Sequence, residues 1–223
     1  MIEEPLTIEV YSDVVCPWCY VGKRRLERAL AQLSGTVYSR ITWKPFQLNP
    51  TMAKEGMDRT AYLEAKFGSL DAFHRLEGHV AEAGASERIA FAFWKILRTP
   101  NTFPAHRLIW YAAQQGRQDA VVDSLFRGYF EEGADIGSLP TLAQLAKRAG
   151  LDAGFFLQSD EGAAEVKSEE AAGHRLGIRA VPYFVLNKTY GISGAQPVDV
   201  FVAAIRNVAA QVTPLRADLP VGR

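Results

Sequence analysis

The chain has 223 residues, 48% of them hydrophobic and 22% charged, with 25 basic residues balanced by 25 acidic ones for a formal charge of zero. These proportions exclude a disordered, collagen-like or disulfide-dense chain. They also offer no basic excess for nucleic acid or a membrane surface. A chain of this length buries roughly 70% of its unfolded surface, enough for one large core or two smaller ones.

The opening, M-I-E-E-P-L-T-I-E-V, starts acidic and lacks the basic stretch and apolar core of a secretory signal. No run approaches the ~20 apolar residues that span a bilayer. The expectation is a soluble, cytoplasmic protein. Leu6 to Val10 alternates as a strand does and ends at Tyr11-Ser12-Asp13. After it come the chain's 2 cysteines, both in Cys16-Pro17-Trp18-Cys19. Gly22 to Leu33 then places Leu26, Ala29, Leu30 and Leu33 on one helical face. Val37 to Phe46 reads as a second strand with an irregularity at Pro45. Strand, cysteines, helix and strand together fit a right-handed βαβ crossover.

The middle of the chain is predicted to be helical. Ala105-Leu108-Ile109-Ala112, Val122-Leu125-Phe126-Tyr129 and Leu142-Leu145-Ala146-Ala149 each match the i, i+3, i+4, i+7 template. Gly116, Gly133, Gly137 and Gly150 separate these stripes as stop signals. Tyr62–Phe67 and Phe73–Ala83 read as less periodic helices, and Ala90–Trp94 is an ambiguous apolar run. Strand chemistry returns in Tyr183–Leu186 and Tyr190–Ser193, separated by a hairpin turn at Asn187-Lys188. Pro197 opens a last helix through Val198, Phe201, Val202 and Ile205. The layout is an α/β fold, βαβ…ββα, interrupted by a large all-helical insertion. Its expected boundaries are 1–50 and 177–223 for the α/β part and 51–176 for the insertion.

Two cysteines flanking two residues, between a strand and a helix, suit reversible disulfide chemistry. Cys16 falls at the helix N-terminus, where free N–H groups and the helix dipole favour a thiolate. Cys19, one turn on and more buried, is placed to attack a mixed disulfide formed on Cys16. Pro17 has no N–H to leave unpaired in the first turn. Trp18 is expected to shield and pack. Lys23, Arg24 and Arg25 read as a solvated face that could add positive field. Zinc is a competing reading, but there is no second cysteine pair, and His74, His79, His106 and His174 are scattered. A structural disulfide closing so short a loop would stabilise little, and packing thiols are the remaining alternative. The context beside a βαβ unit favours redox chemistry.

Val181-Pro182 stands immediately before a strand, where proline suits an edge or a turn. On base rates alone this bond would be trans, since X–Pro bonds are cis in only ~5–6% of folded cases.

V-Y-S-D-V-V-C-P-W-C and G-I-R-A-V-P-Y-F-V-L-N together resemble the DsbA family of thioredoxin-fold proteins, most closely its cytoplasmic FrnE-like branch. The resemblance extends through N-T-F-P-A-H-R-L (Asn101 to Leu108) and S-G-A-Q (Ser193 to Gln196). It implies a thioredoxin-like fold split by helices, a redox pair at Cys16 (nucleophile) and Cys19 (resolving), and a cis Pro182 in the substrate groove. It further implies a disulfide-containing protein or small-molecule thiol as substrate. No cofactor is required, with glutathione as the candidate co-substrate around Val181 and the Gly194–Gln196 turn, and a homodimer is compatible with it. Kappa-class glutathione transferases and 2-hydroxychromene-2-carboxylate isomerases resemble the chain through N-T-x-x-A-H, but typically carry serine at the Cys16 position. A glutathione-dependent transferase or isomerase is therefore the alternative, and a chaperone-like client-binding module is a third reading. Asp13, Asn101, His106 and Gln196 are candidate supporting residues. Asp13 is read as a loop cap or an aid to cysteine deprotonation, His106 as a structural hydrogen-bonding group ahead of a catalytic one. A reductase or isomerase is easier to sustain than a net oxidant in a reducing cytosol.

Overall fold

A computed structural model describes residues 5–212. The acidic opening at 1–4 and the end of the 177–223 segment, 213–223, lie outside the described residues. In chain order, strand β1 (Leu6–Ser12), helix α1 (Pro17–Gln32) and strand β2 (Ser39–Pro45) form the opening unit. A two-residue strand β3 (Met57–Asp58), helices α2 (Arg59–Phe67) and α3 (Leu70–Ser86), a 3-10 turn at Phe93–Lys95 and a second short strand β4 (Arg98–Thr99) follow. Helices α4 (Phe103–Gln114), α5 (Gln118–Phe130), α6 (Leu139–Arg148), α7 (Gly154–Gln158) and α8 (Ala163–Arg175) complete the insertion. The chain returns as β5 (Tyr183–Leu186), β6 (Tyr190–Ser193) and α9 (Val198–Val212).

The main sheet has the order β2-β1-β5-β6. β1 runs parallel to β2, as the α1 crossover requires, and antiparallel to β5, pairing Tyr11 with Tyr183 and Ile8 with Leu186. β2 is an edge strand, so Pro45 costs no central ladder bond. The β5–β6 turn has positive φ at both Asn187 (46°) and Lys188 (61°), with the Thr189 N–H donating to the Leu186 carbonyl at 3.1 Å. That is the primed turn whose twist matches the strands. Asn187 also extends the pairing with β1: its side-chain oxygen accepts from the Thr7 N–H at 2.9 Å.

Alternation decides which side chains go where. Leu6, Ile8, Val10, Phe184 and Leu186 join the core shared with α1 and α9, where Phe184 meets Phe201 edge-on at 4.8 Å. Tyr11 and Val185 point to the opposite face and pack with Phe46 and Ile178. Helix α8 covers that face: a Cβ on Gly173 would lie 2.6 Å from a Tyr11 ring carbon. The three apolar stripes of the insertion become α4, α5 and α6, all buried except Ala149, the C-cap residue just past the end of α6. Besides helices, the insertion contains the antiparallel β3–β4 pair, too short to leave a periodic signal.

Lys23, Arg24 and Arg25 do not form a solvated face. Lys23 is only 2% exposed and is ion-paired to Glu27 and, at 3.1 Å, to Asp119 of α5. Arg24 reaches Asp123 at 2.7 Å. Arg25 and Arg28 share the buried Glu87 carboxylate just after α3, at 3.1 and 2.8 Å. A buried cation must be paired, and here the pairing fixes the insertion to α1. The Tyr20 ring adds to that interface, stacking on Phe126 at 5.1 Å. No described helix is long and apolar enough to cross a membrane.

Replacing Gly173 by Val drives a branched side chain into the Tyr11 ring. The expected loss is about 1–3 kcal/mol of stability, read as a lower urea midpoint with an unchanged m-value.

Candidate active site

Helix α1 begins at the first cysteine. Cys16 is its N-cap, with extended backbone (φ −92°, ψ 111°), and Pro17 takes the first helical position. The Cys16 carbonyl accepts from the Cys19 N–H at 3.0 Å, closing the first turn around Pro17-Trp18. Both cysteines are free thiols, 3.4 Å apart, and both are buried, Cys16 at 5% exposure and Cys19 at 1%. Trp18 does not pack inward: at 38% exposure it stands at the surface beside Pro17.

The other side of the site arrives from 165 residues away. The Val181–Pro182 peptide bond is cis, and the Cys16 Sγ donates to the Val181 carbonyl at 3.6 Å. The Pro182 carbonyl accepts from the Gly194 N–H at 2.8 Å, tying the 194–196 turn to the proline. Arg25 braces the same turn from α1, donating to the Ala195 carbonyl at 2.6 Å. Gln196 is exposed, with its side chain turned to the Ser193 carbonyl at 2.8 Å. A Cβ on Gly22 would lie 3.0 Å from the Pro182 ring and 3.1 Å from Phe184. Gly22 therefore allows α1 to approach the proline, a role that a glycine two residues past Tyr20 in a helix could have suggested.

Beneath the thiols lies Asp13, fully buried. Its carbonyl accepts from the Cys16 N–H at 3.0 Å. Its carboxylate accepts from the Leu48 N–H at 2.7 Å and lies 3.3 Å from His106 Nε2. His106 is thus a buried partner of Asp13. Asn101 is farther removed. It accepts from the Phe103 N–H at 2.9 Å and donates to the Met52 carbonyl at 2.6 Å, joining the start of α4 to the loop after β2. Ser12, which the sequence singled out only as a strand end, is buried next to these groups.

Burial pushes the Cys19 thiol well above the ordinary thiol range, and the neighbouring Cys16 adds to the rise. The Ser12 hydroxyl and the Asp13 backbone act in the opposite sense, favouring the thiolate. Among the described residues no group of three or more His, Cys, Asp or Glu side chains is placed to hold a metal ion. The arrangement is two thiols within reach of one another, one at a helix N-terminus facing a backbone carbonyl and one held protonated behind it.

Residues 7–206 match the model of the DSBA-like thioredoxin domain. The chain belongs to that family. It is similar to a probable DsbA oxidoreductase from Streptomyces coelicolor, at 35% identity and a TM-score of 0.84 over 95% of this chain and 93% of that one. An uncharacterised Bacillus subtilis protein, YwbO, is 27% identical over 202 residues, 89% of this chain and 94% of the relative. The cytosolic disulfide reductase DsbM from Pseudomonas aeruginosa, solved with glutathione, shares the fold at a TM-score of 0.62 and 17% identity, covering 91% of this chain and 98% of that one.

Two outcomes follow from this geometry. The folded Cys19 thiol ionises later than the unfolded one, so its contribution to stability is intact below the ordinary thiol pKa, about 8.5, and is lost as pH rises toward the folded value. The reduced protein is expected to lose about 1.4 kcal/mol per pH unit from this group above that point, and Cys19→Ala should flatten the slope in urea titrations between neutral and alkaline pH. Gly22→Val should displace Pro182 from α1 and slow disulfide exchange about tenfold or more, measured with a small disulfide.

Proposed function

We propose that the protein is a thiol–disulfide oxidoreductase or isomerase of the FrnE-like branch, working through Cys16 and Cys19. The observation that carries this reading is the 3.6 Å contact of the Cys16 sulfur with the Val181 carbonyl beside the cis proline, with the second thiol directly behind it. Cys16, at the helix N-terminus and with a slightly larger exposed fraction than Cys19, attacks a substrate disulfide; the substrate S–S bond breaks, one sulfur leaves as a thiol and the other is held in a mixed disulfide on Cys16. Cys19 then attacks the Cys16 sulfur, and the substrate leaves as a thiol. An extended substrate lies along the Val181 backbone, flanked by Pro17, Trp18 and Pro182. Asp13 and His106 hold the thiol loop from below, and Asn101 and Gln196 act as anchors outside the chemistry.

The substrate class is a disulfide-containing protein or a small thiol such as glutathione. The glutathione-bound state of DsbM supports the second, with the Val181 backbone and the Gly194–Gln196 turn as the binding edge. A transferase or isomerase that uses serine at the Cys16 position has no need of the second thiol. The Cys19 sulfur 3.4 Å away therefore favours exchange.

Cys16→Ser should reduce exchange to background while leaving the fold intact. Cys19→Ser should accumulate a covalent mixed disulfide on Cys16, detected by non-reducing gel and intact mass. Exchange persisting in Cys16→Ser would overturn the reading, and client holding that survives in the same variant while exchange was never present would point to a chaperone-like module.

A further inference from the structure

Ser12 ends β1 with a hydroxyl that is buried, at 6% residue exposure, yet makes no well-formed hydrogen bond among the described residues. Native structures rarely leave a buried polar atom unpaired without a use for it. The reacting group that this hydroxyl faces is the Cys19 sulfur, which the Asp13 backbone N–H also faces. A neutral thiol is a weak acceptor, so the hydroxyl has little to bind while Cys19 is protonated. A thiolate accepts strongly. The Asp13 donor is held in place by its neighbours. Its carbonyl bonds to the Cys16 N–H at 3.0 Å, and its carboxylate is directed away to the Leu48 N–H at 2.7 Å and to His106 at 3.3 Å.

We propose that the Ser12 hydroxyl and the Asp13 N–H form a two-donor cradle for the Cys19 thiolate, which makes Ser12 a catalytic residue of the resolving step. The proposal rests on the exchange reading above and adds a group to it. In that step the Cys19 thiol gives its proton to solvent, and the Ser12 hydroxyl and Asp13 N–H take up the resulting charge. The sulfur's electron pair forms the Cys16–Cys19 bond. The bond between Cys16 and the substrate sulfur breaks, and its electron pair leaves on that sulfur, which is protonated from solvent. The enzyme dithiol is oxidised and the substrate disulfide reduced. The hydroxyl donates a hydrogen bond only and keeps its own proton.

The test uses the full chain, reduced, with one equivalent of Ellman's reagent followed by stopped-flow absorbance. The first thionitrobenzoate release reports attack by Cys16, and the second reports attack by Cys19 on the mixed disulfide. Ser12→Ala is expected to slow the second release about tenfold at pH 7, the effect of one lost hydrogen bond to a charged group. The first release should change by less than about twofold, because Cys16 attacks without the cradle. A second release as fast as in the unmodified chain would overturn the role of Ser12 while leaving exchange in place. Equal slowing of both releases would also overturn it, because it would mark a distorted loop instead of a lost donor. If the unmodified chain releases only one equivalent, the exchange reading itself fails and the cradle with it.

Discussion

The antiparallel pairing of β1 with β5 is the constraint on which the rest of the site depends. It sets Tyr11 opposite Tyr183, so the chain leaving β1 toward Cys16 and the chain entering β5 from Pro182 meet at the same end of the sheet. A slip of one residue would exchange the two faces of β5. Phe184 and Leu186 would then turn away from α1 and α9, and Val185 would leave the Tyr11 face. The register is therefore fixed by two cores at once, and the contact between Cys16 and Val181 follows from it. Gly22 supplies the remaining condition, because α1 can lie against Pro182 only where no side chain intervenes.

Asp13 connects that site to the rest of the molecule. A single residue anchors the Cys16 backbone, the loop after β2 through Leu48 and the insertion through His106. The insertion is in turn pinned to α1 by the buried Lys23 and Glu87 ion pairs. Removing one partner from such a pair leaves an uncompensated buried charge, a larger loss than the pair's net worth. Cys19 sits where these restraints converge. As a neutral thiol it packs like a small hydrophobic side chain, and the cost of its burial falls on the moment when it must ionise.

Much of this architecture is legible in the sequence. Alternation marks β1, β-rich runs on either side of a turn mark β5 and β6, and the three helical stripes stand out because α4, α5 and α6 each bury one continuous face. Helix α8 carries no comparable stripe: of its residues only Val166 and Gly173 are buried, because it meets the sheet through small side chains. Lys23 looks like a surface residue since nothing local shows that Asp119 and Asp123, about a hundred positions on, will enclose it. His106 falls off the apolar stripe of α4 for a similar reason, its partner being Asp13 on a distant loop. The pair Cys16 and Cys19 is visible as a motif, whereas Ser12 is not: a serine at a strand end reads as a turn signal until its burial beside a thiol is known.

The low cysteine count gives the central claim a clean readout, since no third thiol in the chain can compete with Cys16 and Cys19. The most direct measurement equilibrates the protein across a series of reduced-to-oxidised glutathione ratios, quenches with acid and determines the fraction of intramolecular disulfide by intact mass. A reversible transition between dithiol and Cys16–Cys19 disulfide, following a two-electron Nernst curve, is the predicted result. A chain that stays a dithiol throughout, or that accumulates glutathione on Cys16 without ever closing the Cys16–Cys19 bond, would contradict a resolving role for Cys19.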